Sequence, residues 1–147
     1  MQFTISMAAA IAALDARVDL VDAAAGSPNQ GQGRWWTGTP PASTAAARTG
    51  NLLAVFTLPR PAFGSASDNG DTYAAAAMNA VANSTAVGTG TAGYFDIVDG
   101  AGTVIEQGRI TMSGESPTGD MVLDNTSIAL GQTVRWTGYT AKQPTVG

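Results

Sequence analysis

The sequence predicts a mainly β protein: a single β-sandwich or jelly-roll-like domain with an N-terminal α-helix. Three observations lead to this prediction. Residues 91–110 have the pattern of a β-hairpin, about seven short strands alternate with turn signals every ~8–12 residues, and a helical stripe of apolar residues is confined to the first 26 positions. With 147 residues, the chain is long enough for one domain with a substantial core but not comfortably for two.

The hairpin is the best-defined element in the sequence. Two runs rich in aromatic and β-branched residues, 94–98 and 104–110, flank the segment Asp99-Gly100-Ala101-Gly102. The glycines of this segment supply the positive φ angles that a tight chain reversal needs. If the strands pair symmetrically about Ala101, Asp96 lies directly opposite Glu106 on one face of the sheet.

Residues 7–25 predict an amphipathic helix. Ser6 is its expected N-cap, and Gly26, followed closely by Pro28, is its expected end. We expect the apolar face to pack on a sheet of its own or of a neighbouring chain, and a helix bundle between subunits is the alternative. The larger apolar residues recur in alternating steps of four and three, which indicates one helical face: Met7, Ile11, Leu14, Val18 and Val21, with Ala25 continuing the series.

We divide the chain into four segments: an arm at 1–26 that holds a possible short strand in its first five residues, a flexible joint at 27–33, a β body at 34–140 and a frayed tail at 141–147. Within the body, 72–81 is ambiguous, because four consecutive alanines favour a helix while the turns around them favour a strand; we predict a strand. The other body strands outside the hairpin are expected at 34–37, 51–58, 121–123 and 133–139, and the loops at 38–50, 83–90 and 111–119.

Composition excludes more functions than it indicates. The chain has no Cys and no His, so disulfides, thiolate zinc sites and the commonest general base are ruled out. Only 12% of the residues are charged, with a net charge of −4 and the basic residues scattered singly. Because the basic residues form no patch, we expect no direct nucleic-acid binding. No apolar run approaches the length of a transmembrane helix, so we expect no membrane span. The low charge is typical of a protein packed against other subunits, although an alanine-rich coding bias would produce it as well.

Three patterns suggest chemistry, and each has a simpler structural explanation. Asp96 and Glu106 could form a glycosidase pair or a Ca²⁺ site, or could be unrelated surface residues. The acidic turns at 68–71, 99–100 and 120–125 resemble Ca²⁺ loops but lack the spacing, and Asp-Gly and Asn-Gly are common in turns for backbone reasons. We therefore predict a non-enzymatic protein with no catalytic residue, no cofactor and no metal. Four aromatic residues could form a sugar-binding platform or pack in the core: Trp35, Trp36, Trp136 and Tyr139.

Five stretches carry a resemblance to a known group of proteins. They are ALDARVDLVDAAAG, WTGTPP, NLLAVFTLPRPAFG, GTGTAGYFDIVDGAGTVIEQG and DMVLDNTSIALGQTV, and together they cover most of residues 8–136. In these stretches the chain resembles small β-sandwich structural proteins of tailed-bacteriophage virions, of the capsid decoration or cement type. The resemblance implies no catalytic residues.

The resemblance implies a protein that binds the major capsid protein on the exterior of the virion and bridges its subunits, after being made in the host cytoplasm. It also implies a homo-oligomer, with a trimer as the first guess. A tail, neck or fibre-attachment protein, or a carbohydrate- or receptor-binding module, is the alternative. Six apolar residues are the candidates for contacts with neighbouring subunits: Ile11, Leu14, Val18, Trp35, Trp36 and Phe63.

Overall fold

The computed structural model describes residues 3–22, 30–70 and 72–146. In this part of the chain one helix, α1 (Met7–Asp19), precedes a series of β-strands, so the predicted mainly β fold with an N-terminal helix is confirmed. The strands are β1 (Gln32–Thr37), β2 (Leu52–Thr57), β3 (Ser67–Asp68), β4 (Tyr73–Ala77), β5 (Ser84–Thr85), β6 (Gly90–Val98), β7 (Val104–Met112), β8 (Met121–Leu123), β9 (Ser127–Ile128), β10 (Thr133–Val134) and β11 (Thr140–Pro144).

The main sheet is built around the predicted hairpin, which is formed by β6 and β7. Its strand order is β2-β1-β6-β7-β8, and β9 pairs with the start of β6. All pairs are antiparallel except β7 with β8. At the hairpin turn, the carboxylate of Asp99 accepts hydrogen bonds from the backbone N–H groups of Ala101 and Thr103, both at 2.9 Å. Gly102 adopts a φ of 89°, a conformation that favours glycine.

A β-bulge changes the register of this hairpin. Val98 pairs with Val104, but the next pair is Ile97 with Glu106, so Ile105 is an extra residue on β7. Asp96 therefore lies opposite Gln107, and the predicted Asp96–Glu106 pair is wrong. Because side chains alternate between the two faces of a strand, this slip of one residue places the two carboxylates on opposite faces of the sheet.

One hydrophobic core joins the main sheet, the second sheet and the helix. The inner face of the main sheet contributes Trp35, Phe56 and Phe95. The second sheet has the order β11-β4-β3, and a two-stranded pair, β10 with β5, lies beside them. The helix packs on β4 and β11, and Leu14 and Val18 on its buried face are 0% and 2% exposed. The packed sheets form the predicted β-sandwich.

The N-terminal predictions hold at the start of the helix and fail at its end. Ser6 caps α1, because its hydroxyl accepts a hydrogen bond from the N–H of Ala9 at 3.1 Å. The helix ends at Asp19, well before the predicted stop at Gly26, which lies outside the described residues together with Ala25. Of the predicted short strand before the helix, the described part contributes one bridge, between Thr4 and Val146.

Two of the predicted segment boundaries also move. In the predicted joint, residues 27–29 lie outside the described residues, and β1 already begins at Gln32. The tail is not frayed, because β11 pairs with β4 from Thr140–Ala77 to Pro144–Tyr73.

The predicted strand at 133–139 is limited to β10, since the chain leaves the sheet after Val134. The strand predicted within 72–81 is confirmed as β4.

Candidate functional site

The strongest polar cluster lies on the outer face of the main sheet. Asp96 is 0% exposed and accepts two hydrogen bonds from Arg34, Nε to Oδ1 at 2.7 Å and Nη2 to Oδ2 at 2.8 Å. A second guanidinium, that of Arg48, lies 3.6 Å from the same carboxylate. The guanidinium of Arg34 also lies over the ring of Trp36, 5.2 Å from its centroid. A buried carboxylate held in this way by two guanidinium groups is closed to substrate and solvent.

Arg48 connects this cluster to the long loop at residues 38–50. Its Nη2 donates to the backbone oxygens of Ser43, Thr44 and Ala46, at 3.2, 3.2 and 2.9 Å, and its Nη1 donates to Oε1 of Gln107 at 2.9 Å. Two guanidinium groups share the single carboxylate of Asp96, so Arg48 needs further hydrogen-bond acceptors. The loop carbonyls supply them. The cluster therefore holds the loop against the sheet.

Two further side chains hold the same loop. Gln107 donates to the backbone oxygen of Pro41 at 2.8 Å. The hydroxyl of Tyr94 donates to the backbone oxygen of Thr49 at 2.6 Å and accepts from its N–H at 3.0 Å. Since Tyr94 and Gln107 belong to the central hairpin, the loop is attached to the most extensively paired part of the sheet.

Glu106 forms a second cluster on the opposite face. Its two oxygens accept hydrogen bonds from Nε of Arg17 and from the hydroxyl of Tyr139, both at 2.7 Å. Arg17 also donates to Oε1 of Gln143 at 3.1 Å and to the backbone oxygen of Lys142 at 2.7 Å. Burial raises the pKa of Tyr139 far above its ordinary value, and the charge of Glu106 beside it raises that pKa further. The cluster joins α1, the hairpin and the β11 segment.

A shallow groove of about 310 Å³ adjoins this second cluster, and Arg17, Glu106 and Tyr139 are among its lining residues. The carboxylate of Glu106 is committed to an arginine and to a tyrosine that keeps its proton. Both of its oxygens are therefore occupied by partners of the same chain. Because Asp96 points to the other face, the two carboxylates cannot act on one substrate as a glycosidase pair requires.

The aromatic residues do not form the suggested sugar platform. Trp35 and Trp136 are 1% and 5% exposed and stack on each other, with ring centroids 6.3 Å apart. Phe56 and Phe95 pack against the ring of Trp136. The outward-facing Trp36 is half-buried and stacks on Tyr94. Trp35 and Trp136 therefore belong to the core, whereas Trp36 covers the guanidinium group of Arg34 on the outer face.

The acidic turns hold backbone, as the simpler explanation requires. Asp68 accepts from the N–H of Gly70 at 2.8 Å, and Asp120 accepts from the N–H of Arg109 at 3.0 Å; the predicted turn residue Asp71 lies outside the described residues. Among the residues that the structure describes, no group of three or more acidic, His or Cys side chains is arranged to hold a metal ion. No helix in the same residues is long and apolar enough to span a membrane.

The structure places five of the six predicted contact residues in or against the core. Leu14, Val18, Trp35 and Phe63 are buried in their own chain, and Ile11 packs against the same core. Because these four buried side chains are covered by their own fold, internal packing explains the apolar stripe of the helix and the inward Trp. A contact with a neighbouring subunit stays a prediction for the half-buried Ile11 and Trp36. Trp36 is covered by Tyr94 and Arg34, as described above.

A different surface presents exposed apolar side chains, and sequence reasoning missed it. The segments 84–91 and 126–133 lie side by side, joined by the strand pairs β5–β10 and β6–β9 and by hydrogen bonds between Ala86 and residues 131 and 132. Neither segment contains a charged residue. Val87 and Leu130 are 54% and 68% exposed here. We call this surface, formed by residues 84–91 and 126–133, the uncharged end. The sequence feature that could have indicated this surface is the absence of charged residues from 72–95 and 125–134.

Comparison of the chain with protein-family models, with curated protein sequences and with solved structures finds no match.

Proposed function

We propose that this chain is a non-enzymatic structural protein of a tailed-phage virion, a decoration protein that binds the major capsid protein on the outer surface of the shell and bridges its subunits. The observation that carries the proposal is how the buried charges are used. Asp96 with its two arginines and Glu106 with Arg17 and Tyr139 attach a long loop and the helix to the sheet. Such bonds favour a stiff, self-supporting body over a reactive site.

The surface supports the same proposal. A decoration protein must fold before it binds and must then cover part of its surface against neighbouring subunits. The uncharged end is one such surface, because it offers Val87 and Leu130 among short Thr, Ser, Gly and Ala side chains. These lose less hydration than charged side chains would, and little conformational entropy, when a neighbouring copy covers them. The resemblance in the five stretches quoted above adds the capsid as the partner.

The test uses DNA-filled heads purified without this protein and the same heads after the purified chain has been added back. We expect the heads without the protein to release their DNA at a lower temperature, and addition of the chain to restore the higher temperature. DNA release is measured with a DNA-binding dye during heating. Equal release temperatures with and without bound protein would rule out the cement role.

The number of copies in the virion separates this role from the other structural positions. A decoration protein is expected at many sites over the shell. A few copies confined to one vertex or to the tail would assign the chain to the neck, tail or fibre attachment instead. Quantitative staining of the virion proteins, with the major capsid protein as internal standard, gives this number.

A further inference from the structure

The uncharged end combines two exposed apolar side chains, Val87 and Leu130, with an absence of charge. Each of its exposed positions is uncharged: Thr85, Val87, Thr89, Thr91, Ser127, Ala129, Leu130, Gly131, Gln132 and Thr133. Its conformation is fixed by backbone pairing, with the N–H of Ala86 donating to the oxygen of Gln132 at 2.8 Å and the N–H of Gly131 donating to the oxygen of Ala86 at 3.0 Å. The hydroxyl of Thr89 accepts from the N–H of Leu130 at 3.0 Å, so Val87 and Leu130 are carried by neighbouring, ordered segments.

Charge decides which occupant such a surface suits. The chain carries a net charge of −4, so two copies repel each other wherever their acidic surfaces come close. Near a rotation axis, a residue meets its own copies, and any charged side chain there faces an identical charge. The uncharged end avoids this repulsion. A charged partner, in contrast, would lose hydration against it and would find no countercharge within it.

We propose that the uncharged end is the surface through which copies of this chain associate with one another. Val87 and Leu130 form the apolar centre of the contact, and the short polar side chains around them form its rim. Asp124 and Arg135 are the charged residues that flank the segment 126–133 in the sequence. The inference concerns the chain alone and does not rest on the proposed role in the virion.

The first test is the mass of the purified chain in solution, measured by light scattering and by sedimentation velocity from micromolar to millimolar concentrations. We expect a concentration-dependent oligomer. Val87→Asp and Leu130→Asp should each weaken the association at least roughly tenfold. Phe3→Asp is the matched control, because Phe3 is 69% exposed against 68% for Leu130 and the substitution adds the same charge. This control should associate like the parent chain.

A mixing experiment tests whether identical residues meet. Leu130→Lys should also weaken self-association, because lysines would then face lysines. A mixture of equal amounts of Leu130→Asp and Leu130→Lys should recover association through opposite charges, whereas either variant alone should not. Thermal melting of each variant checks that the fold is retained.

Three results would overturn the proposal. The parent chain could stay monomeric at millimolar concentration; Phe3→Asp could dissociate it while the changes at the uncharged end do not; or the Asp and Lys variants of Leu130 could fail to associate when mixed although each is folded. If the parent is monomeric but the Asp variants lose binding to purified heads, the surface belongs to the shell contact, and self-association is wrong while the decoration role stands.

Discussion

At the scale of single residues, the positions of two carboxylates show how one extra residue in a strand changes the partners of its neighbours. In an unbroken register, Asp96 and Glu106 would lie on the same face of the hairpin. A single extra residue on β7, Ile105, places them on opposite faces. Asp96 then receives two guanidinium groups and Glu106 receives one together with a tyrosine. Removing Arg34 would leave the buried carboxylate of Asp96 with only the more distant Arg48, which costs up to about 3–5 kcal/mol. The sequence could not predict these partners, because they depend on the bulge.

The role of Tyr139 can be tested through the pH dependence of the free energy of unfolding. Burial and the neighbouring Glu106 raise its pKa above the ordinary value of 10.0, so the folded chain keeps the phenol proton at a pH where the unfolded chain loses it. Below pH 10 both states hold the proton and this site makes no pH-dependent contribution. Above pH 10 we expect the free energy of unfolding to fall, with a slope from this residue that approaches about 1.4 kcal/mol per pH unit.

The measurement is urea unfolding at intervals from about pH 8 to about pH 11. Tyr139→Phe should cost about 1.5–3 kcal/mol below pH 10, because it removes a hydrogen bond to a charged group, and should make the decline above pH 10 shallower. The difference between parent and variant isolates Tyr139 from the other tyrosines. Parallel curves for the two proteins over the whole range would show that the phenol has no such role.

At the scale of elements, turn residues and local apolar patterns were sufficient to predict a strand whose partner is near in sequence. The hairpin, with its Asp99–Gly102 turn, and the short strand β8 were predicted because their boundaries are set by adjacent turn residues. The strand β11 was missed because its partner, β4, is far away in the sequence and its own residues, Thr140–Pro144, lack apolar alternation. The early end of α1 has no strong stop signal after Asp19. Long-range pairing therefore explains why β11 could not be predicted.

The loop at residues 38–50 provides the test at this scale. It has no strand of its own and depends on Arg48, which binds three of its carbonyl oxygens and Gln107. Arg48→Ala should therefore increase amide hydrogen exchange in the loop by at least roughly tenfold while exchange in α1 is unchanged. Arg109→Ala, an exposed residue of β7, is the matched control. Equal protection of the loop in both variants would show that Arg48 is not what holds it.

At the scale of the whole molecule, the helix is part of the body and not a separate arm. Its buried face packs on β4 and β11, and Arg17 links it to the hairpin and to the last strand. The spacing of apolar residues predicted the face of the helix correctly but could not predict its partner, since the same stripe suits a sheet of the same chain or of a neighbour. This is why Leu14 and Val18, chosen as intersubunit contacts, lie in the core of their own chain.

Because α1 packs on β4 and β11, we expect the helix and the sheets to unfold together. Leu14→Ala should lower the free energy of unfolding by about 2–5 kcal/mol, because Leu14 is 0% exposed and its loss leaves a cavity between helix and sheet. Leu20→Ala makes the same chemical change at a residue that is 51% exposed at the C-cap of α1, and should change stability by no more than about 0.5 kcal/mol. Amide exchange in α1 and the fluorescence of the buried tryptophans should report one transition in all three proteins. A helix that exchanges freely while Trp35 and Trp136 keep their native emission would instead show an arm that docks independently, and such an arm would be free to bind a neighbouring subunit.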